Sequence, residues 1–195
     1  THTEIIDGMT NTWLIESETY LHNDRLNEDY NSFNAAYGDE RFQDGDTLTV
    51  TRDYSTEAVH PDNTHTVTIN LDGHTLTYTQ PLKNSGNMTI VGGEGQAKGK
   101  IVNTNVRNNT IDNEGDLTIN NSELTSACIV VNKTTTTKKN LVISDSKLSI
   151  SSSSSGCNTV VRAYDYTKFE LNNSTLEATS KTSTDIEAIY AYDSK

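Results

Sequence analysis

Apolar and polar residues alternate along most of this chain, and one arrangement of them returns three times. Leu117-Thr-Ile-Asn-Asn-Ser-Glu-Leu124, Leu141-Val-Ile-Ser-Asp-Ser-Lys-Leu148 and Phe169-Glu-Leu-Asn-Asn-Ser-Thr-Leu176 share the order apolar, any, apolar, two small polar residues, Ser, any, apolar. Their starts lie 24 and 28 residues apart. Alternation at period two predicts short strands that bury one face. A unit of about 20–30 residues cannot bury that face alone, so successive units must stack, and the repeat predicts a solenoid. The stack should place Leu117, Leu141 and Phe169 above one another. Ile119, Ile143 and Leu171 should form a second ladder, and Leu124, Leu148 and Leu176 a third.

The same alternation extends upstream. Asp44-Gly-Asp-Thr-Leu-Thr-Val50 joins a turn signal to a first strand, and Val67-Thr-Ile-Asn-Leu71 alternates strictly before Asp72-Gly73 turns the chain toward Leu76. Met88-Thr-Ile90 follows Gly86, and Gly92, Gly93, Gly95 and Gly99 mark a loose turn before Ile101. Ile111 and the turn Asn113-Glu-Gly115 lead into the first full phrase. The pattern predicts about six coils with two or three short strands each. Thr134–Thr137 and Ser151–Ser155 fall at matching places and read as exposed turns of variable length. Ala163-Tyr-Asp165 recurs as Ala191-Tyr-Asp193, so another coil is due after Asp193. The expectation is a longer solenoid, or an end that stacks on another subunit.

Residues 1–45 break the pattern. They hold Trp13, Tyr20, Tyr30, Phe33, Tyr37 and Phe42, and Asn31-Ser-Phe-Asn-Ala-Ala-Tyr37 reads as a short helix capped by Asn31 or Ser32 and stopped by Gly38. An aromatic, partly helical segment before a solenoid predicts a cap that shields the first coil from water and edge pairing. The domain reading is an acidic aromatic cap over 1–45 and β-helix repeats over 46–195.

Composition sharpens this picture. Only 32% of the 195 residues are apolar, and roughly a third are Ser, Thr and Asn, which suit turns and strand edges better than helices. The net charge of −12 is concentrated in residues 1–60, with 13 acids against 3 bases. That balance argues against nucleic acid as a partner, because phosphates need basic neutralisation. No apolar run is long enough for a membrane span, so no membrane insertion is expected. Cys128 and Cys157 lie 29 residues apart, about one coil. They read either as a disulfide between neighbouring rungs or as two small inward thiols.

Phe33-Asn-Ala-Ala, Gly45-Asp-Thr-Leu-Thr-Val50, Val67-Thr-Ile-Asn-Leu-Asp-Gly-His-Thr-Leu76 and Ile111-Asp-Asn-Glu-Gly-Asp-Leu-Thr-Ile119 together resemble the pectate-lyase-like right-handed parallel β-helix modules of Gram-positive bacterial surface proteins, especially gut Firmicutes, and of some phage fibres. The resemblance runs from about residue 29 onward. It implies an all-β right-handed β-helix, most often an adhesive or stalk module on a cell surface or virion, without catalysis or cofactor.

Three sets of residues could carry chemistry. Asp112, Glu114 and Asp116 crowd one turn and are the best local candidates for the Ca²⁺ that a lyase of this shape would need, although acids beside Gly115 are also ordinary turn residues. Hydrolysis would need paired carboxylates, and no Asp-Asp pair occurs; Arg162, Asp165 and Lys168 read as a solvated charged strip. Tyr164, Tyr166, Tyr190 and Tyr192, with Asp165 and Asp193 beside them, are the candidates for glycan contact: rings stack on the apolar faces of sugars while carboxylates accept from hydroxyls. Their alternative is a tyrosine ladder that only supports the coil. The Thr-rich stretches 64–68 and 75–79 resemble ice-binding arrays, but unequal coils argue against a regular threonine column. The expected reading is a non-catalytic extracellular structural or adhesive element, with a glycan or surface protein as ligand and homo-oligomers or end-to-end stacking open. A virion fibre is the alternative, and a polysaccharide lyase or hydrolase the third.

Overall fold

A computed structural model describes residues 2–6, 9–13, 18–94, 97–133, 138–152, 157–180 and 186–192. It is a parallel β-solenoid built from three sheets. The first sheet stacks Asp46–Val50, Thr66–Asn70, Asn87–Val91, Asp116–Asn120, Lys139–Ser144 and Tyr166–Asn172 in parallel. The second stacks Tyr54–Thr56, Thr75–Tyr78, Gly99–Asn103, Ser122–Ser126, Lys147–Ser152 and Thr175–Ser180. The third stacks Asp62–Asn63, Leu82–Asn84, Ile111–Asn113, Val131–Asn132, Thr159–Tyr164 and Glu187–Tyr192. Each coil thus contributes one strand to each sheet, and six rungs are stacked.

The register is the one the repeat implies. Leu117 pairs with Leu141 and Leu141 with Phe169; Ile119, Ile143 and Leu171 align, as do Leu124, Leu148 and Leu176. The ladders continue upstream through Leu48, Ile69 and Ile90, all fully buried. Each such side chain contributes about 1.5–3 kcal/mol of burial, which drives the stacking.

The polar residues of the phrase have equally definite work. The second of its two small polar residues is Asn121, Asp145 or Asn173, and all three adopt left-handed backbone, with φ of 49°, 51° and 44°. Asn and Asp tolerate that conformation, which turns the chain from the first sheet into the second. The serine that follows, buried at Ser122 and Ser146 and half-buried at Ser174, forms a ladder. The Ser122 amide donates to Ser146 Oγ at 3.1 Å, and the Ser146 amide to Ser174 Oγ at 3.0 Å. Each hydroxyl donates in turn to the carbonyl two residues back, at 2.8, 2.6 and 2.7 Å. A second ladder fills the corner after the third sheet: Asn63 Nδ2 donates to Asn84 Oδ1 at 2.8 Å, and Asn84 Nδ2 to Asn113 Oδ1 at 2.7 Å. Buried amides stay in the core because each finds its partner one rung away.

Glycine enters where rungs come closest. A Cβ on Gly115 would lie 2.0 Å from the Gly86 carbonyl oxygen, and one on Gly86 2.4 Å from that of His65. The turn Asn113-Glu-Gly115 therefore owes its glycine to the neighbouring backbone.

The cap differs from expectation in one respect. The helix Phe33–Tyr37 is present, with Ser32 rather than Asn31 as its N-cap, accepting from the Ala35 amide at 3.1 Å, and Gly38 at its end. Sealing of the first sheet, however, falls to two antiparallel strands, Leu21–Asn23 and Glu28–Tyr30, laid on the edge strand Asp46–Val50. Three-residue strands with few apolar positions carry no legible period. Reversing direction there ends the parallel stack, while Tyr20, Leu21, Phe33, Ala36 and Phe42 bury against the first coil. A separate antiparallel pair, His2–Ile6 with Met9–Trp13, precedes these strands. Ser151 and Ser152 extend a strand instead of starting a turn; residues 134–137 and 153–156 lie outside the described residues.

Candidate functional site

The last two rungs of the third sheet carry the tyrosines singled out in the sequence. Thr159–Tyr164 buries Thr159, Val160, Val161 and Ala163 and leaves Arg162 and Tyr164 partly exposed, while every residue of Glu187–Tyr192 is exposed. Arg162 pairs with Tyr190 and Tyr164 with Tyr192, so the three rings emerge on one outer face. The Tyr164 and Tyr190 centroids lie 5.9 Å apart at 47°, and those of Tyr164 and Tyr192 5.8 Å apart at 45°. Tyr190 is 41% and Tyr192 63% exposed. Beside them a shallow depression of about 500 Å³ is lined by Arg162, Tyr164, Tyr190, Glu187, Asn158 and Thr159. The face therefore offers aromatic surfaces, a guanidinium, a carboxylate and an amide within one depression. Glu187, Arg162 and Asn158 were not read from sequence as part of it. Pairing the Tyr-bearing repeat in register, 28 residues apart, would have placed Arg162 beside Tyr190.

Tyr166 is a correction. It faces the core at 1% exposed, accepts from Asn113 Nδ2 at 2.9 Å, and lies under the Lys133 ammonium, 5.3 Å from the ring centroid. Burial raises its phenol pKa well above the ordinary value. It cannot contact a glycan on the outer face. Lys133 takes the rung position above Asn113 in the amide ladder, itself fully buried. Burial lowers its pKa, opposed by the carboxylates of Glu114 and Asp165. Asp165 occupies the turn between the third and first sheets at φ 50°, its amide donating to the Tyr192 carbonyl at 2.8 Å. It shapes the corner beside the tyrosines. Asp193 lies outside the described residues.

The acidic turn is put to structural use. Asp112 Oδ1 accepts from Asn109 Nδ2 at 2.6 Å, and Asp116 Oδ1 accepts from the Asn140 amide of the next rung at 2.7 Å. Asp44 and Asp53 do likewise for the amides of Thr66 and Thr75. Among the described residues no three His, Cys, Asp or Glu side chains converge into a metal-holding group, so Asp112, Glu114 and Asp116 do not form the Ca²⁺ cluster that was the best local candidate. Lys168 pairs with Glu170 at 3.0 Å on the first sheet, whereas Arg162 stands on the third.

Cys128 and Cys157 are joined, with Cα atoms 4.3 Å apart, and the bridge ties the fourth coil to the fifth. On the outer face of the first sheet, Thr47, Thr68, Thr89 and Thr118 stand in one unbroken column. Unequal coils do not break it, because length differences are absorbed between strands. The adjacent column reads Thr49, Asn70, Val91 and Asn120, so no two-dimensional hydroxyl lattice forms.

Comparison with known proteins matches the chain to no family model, no curated protein and no solved structure.

Proposed function

We propose that this chain is a non-catalytic extracellular scaffold whose last two coils present a glycan-contact face. The observation that carries the reading is the cluster of Tyr164, Tyr190 and Tyr192 around the depression that Arg162 and Glu187 line. Large rings left on an outer strand face cost the fold nothing to keep and offer stacking surfaces to the C–H faces of sugars, while the charged pair supplies hydrogen bonds to hydroxyls. The disulfide suits an oxidising compartment. The stacked core and covalent tie between coils give the rigidity an attachment element requires. Of the resembled pectate-lyase-like modules, the adhesive or stalk type fits this arrangement best.

The test is binding to an immobilised panel of neutral and acidic glycans. The expected result is retention on a subset of them, weakened about tenfold or more by Tyr192→Ala with no change in melting temperature. Equal affinity in Tyr164→Ala and Tyr192→Ala would reduce the tyrosines to a structural role.

A second reading, a stacked fibre subunit, is favoured by the exposed ladder positions of the last coil, where Leu171 is 40% and Ile189 37% exposed. A further rung of this chain or of a second copy would cover them. Absolute mass by light scattering separates monomer from trimer or open-ended polymer.

A further inference from the structure

The charged groups of the tyrosine depression narrow the kind of glycan it suits. Of the five arginines, Arg25, Arg41 and Arg52 each pair with a carboxylate, and Arg107 is exposed in a turn. Arg162 is half-buried on the third sheet, and among the described residues no carboxylate stands within ion-pair distance of its guanidinium. Its neighbours are rings instead. Tyr190 stands opposite it in register on the next strand, and Tyr164 stands two residues along its own strand. Adjacent strands lie about 4.8 Å apart and alternate residues about 6.6 Å, so both rings flank Arg162. Glu187 lines the same depression at its other end. It pairs with Thr159 while Tyr190 pairs with Arg162, so about 10 Å of strand separates Glu187 from the Arg162 position.

We infer that this depression selects a saccharide carrying a single carboxylate, held by Arg162; the inference rests on the glycan-contact reading and specifies its ligand. A guanidinium presents its donors as a planar fork that takes both oxygens of a carboxylate. Between two rings that bond forms in a partly dewatered setting, where it is stronger than in bulk water. A neutral sugar stacked on the same rings would cover the guanidinium without neutralising it, a desolvation cost that a carboxylate offsets. A polyanion is disfavoured for the opposite reason. The depression offers one cation on a chain of net charge −12, so each further carboxylate would meet repulsion without compensation. Glu187 fixes the direction of the ligand: its carboxylate accepts from hydroxyls, so the acidic group lies at the Arg162 end and hydroxyls at the Glu187 end.

The test is calorimetric titration of the full chain with oligosaccharides ending in glucuronate, galacturonate or N-acetylneuraminate, each beside its own methyl ester. The ester keeps the shape and removes the charge. The expected result is that at least one acid binds about tenfold or more tighter than its ester. Arg162→Gln should abolish that preference at an unchanged melting temperature. Arg162→Lys, which keeps the charge and loses the fork, should restore part of it. Tyr192→Ala should weaken acid and ester alike, because the ring contacts the sugar and not the charge. The inference is overturned if no acid is preferred to its ester, if folded Arg162→Gln keeps the preference, or if polygalacturonate binds more tightly per uronate than the single-acid ligands. Glycans bound without regard to charge would sink this inference and leave the glycan-contact reading standing; no binding to any glycan would sink that reading itself.

Discussion

Both ends of the solenoid are rich in aromatic residues, and they use them in opposite ways. At the cap, Tyr20 is 1% and Phe33 2% exposed, and they close the apolar end of the first coil. In the last coil, every residue of Glu187–Tyr192 is exposed, Tyr190 and Tyr192 with it. What separates the two is whether a packed layer covers the ring, not composition. A ring that the cap packs into the core is structural; a ring left on an outer strand face is available to a ligand.

The comparison can be broken first at the cap. Phe33→Ala removes a fully packed ring and should cost about 3–5 kcal/mol, read as a lower urea midpoint with the glycan-contact face unaltered. The other end relies on a covalent tie instead. Reducing Cys128–Cys157, or replacing both with Ser, releases a 29-residue separation and should cost about 3.5 kcal/mol if the loss is mainly entropy of the unfolded chain. Calorimetry of oxidised and reduced protein checks it.

Acid should distinguish the ends next. His60 has a folded pKa of about 4 against an unfolded value of 6.5, so the unfolded chain binds the proton first. The stability contributed by keeping it neutral is complete above pH 6.5 and is lost as pH falls toward 4. The loss is on the order of 3 kcal/mol and should vanish in His60→Gln when urea midpoints are compared across that range. Asp46 titrates in a separate window. Its hydrogen bond from Arg25 holds its pKa below 3.8, so its contribution is present above that pH and disappears only below it. Within the repeats, Ser146→Ala breaks one serine ladder step and should cost about 1–3 kcal/mol by leaving the Ser122 amide unpaired. Tyr192→Ala should be the smallest, within about 0.5 kcal/mol, as befits an exposed side chain.

Much of this was legible in the residues. The three phrases gave the ladder partners residue by residue, because a period-two strand in a stacked repeat leaves only one register that buries Leu, Ile and Val together. The Ser of each phrase was visible as a constant but not its purpose, since a ladder bond joins residues 24 or 28 apart in sequence. Tyr166 looked like Tyr164 because only two residues separate them. The turn at Asp165 breaks the alternation, and Tyr166 begins a strand of another sheet. The cap hairpin was hidden for a different reason. It is assembled from the short segments Leu21–Asn23 and Glu28–Tyr30, whose contacts follow from packing rather than from any repeat.

The most direct measurement crosses the two ends. Phe33→Ala and Tyr192→Ala are each assayed for thermal unfolding and for retention on the glycan panel. The expected result is a lowered melting temperature with retained binding for Phe33→Ala, and an unchanged melting temperature with weakened binding for Tyr192→Ala. A Tyr192→Ala chain that melts early, or that binds every glycan as the parent does, would contradict a division between structural rings at the cap and ligand-facing rings in the last coil.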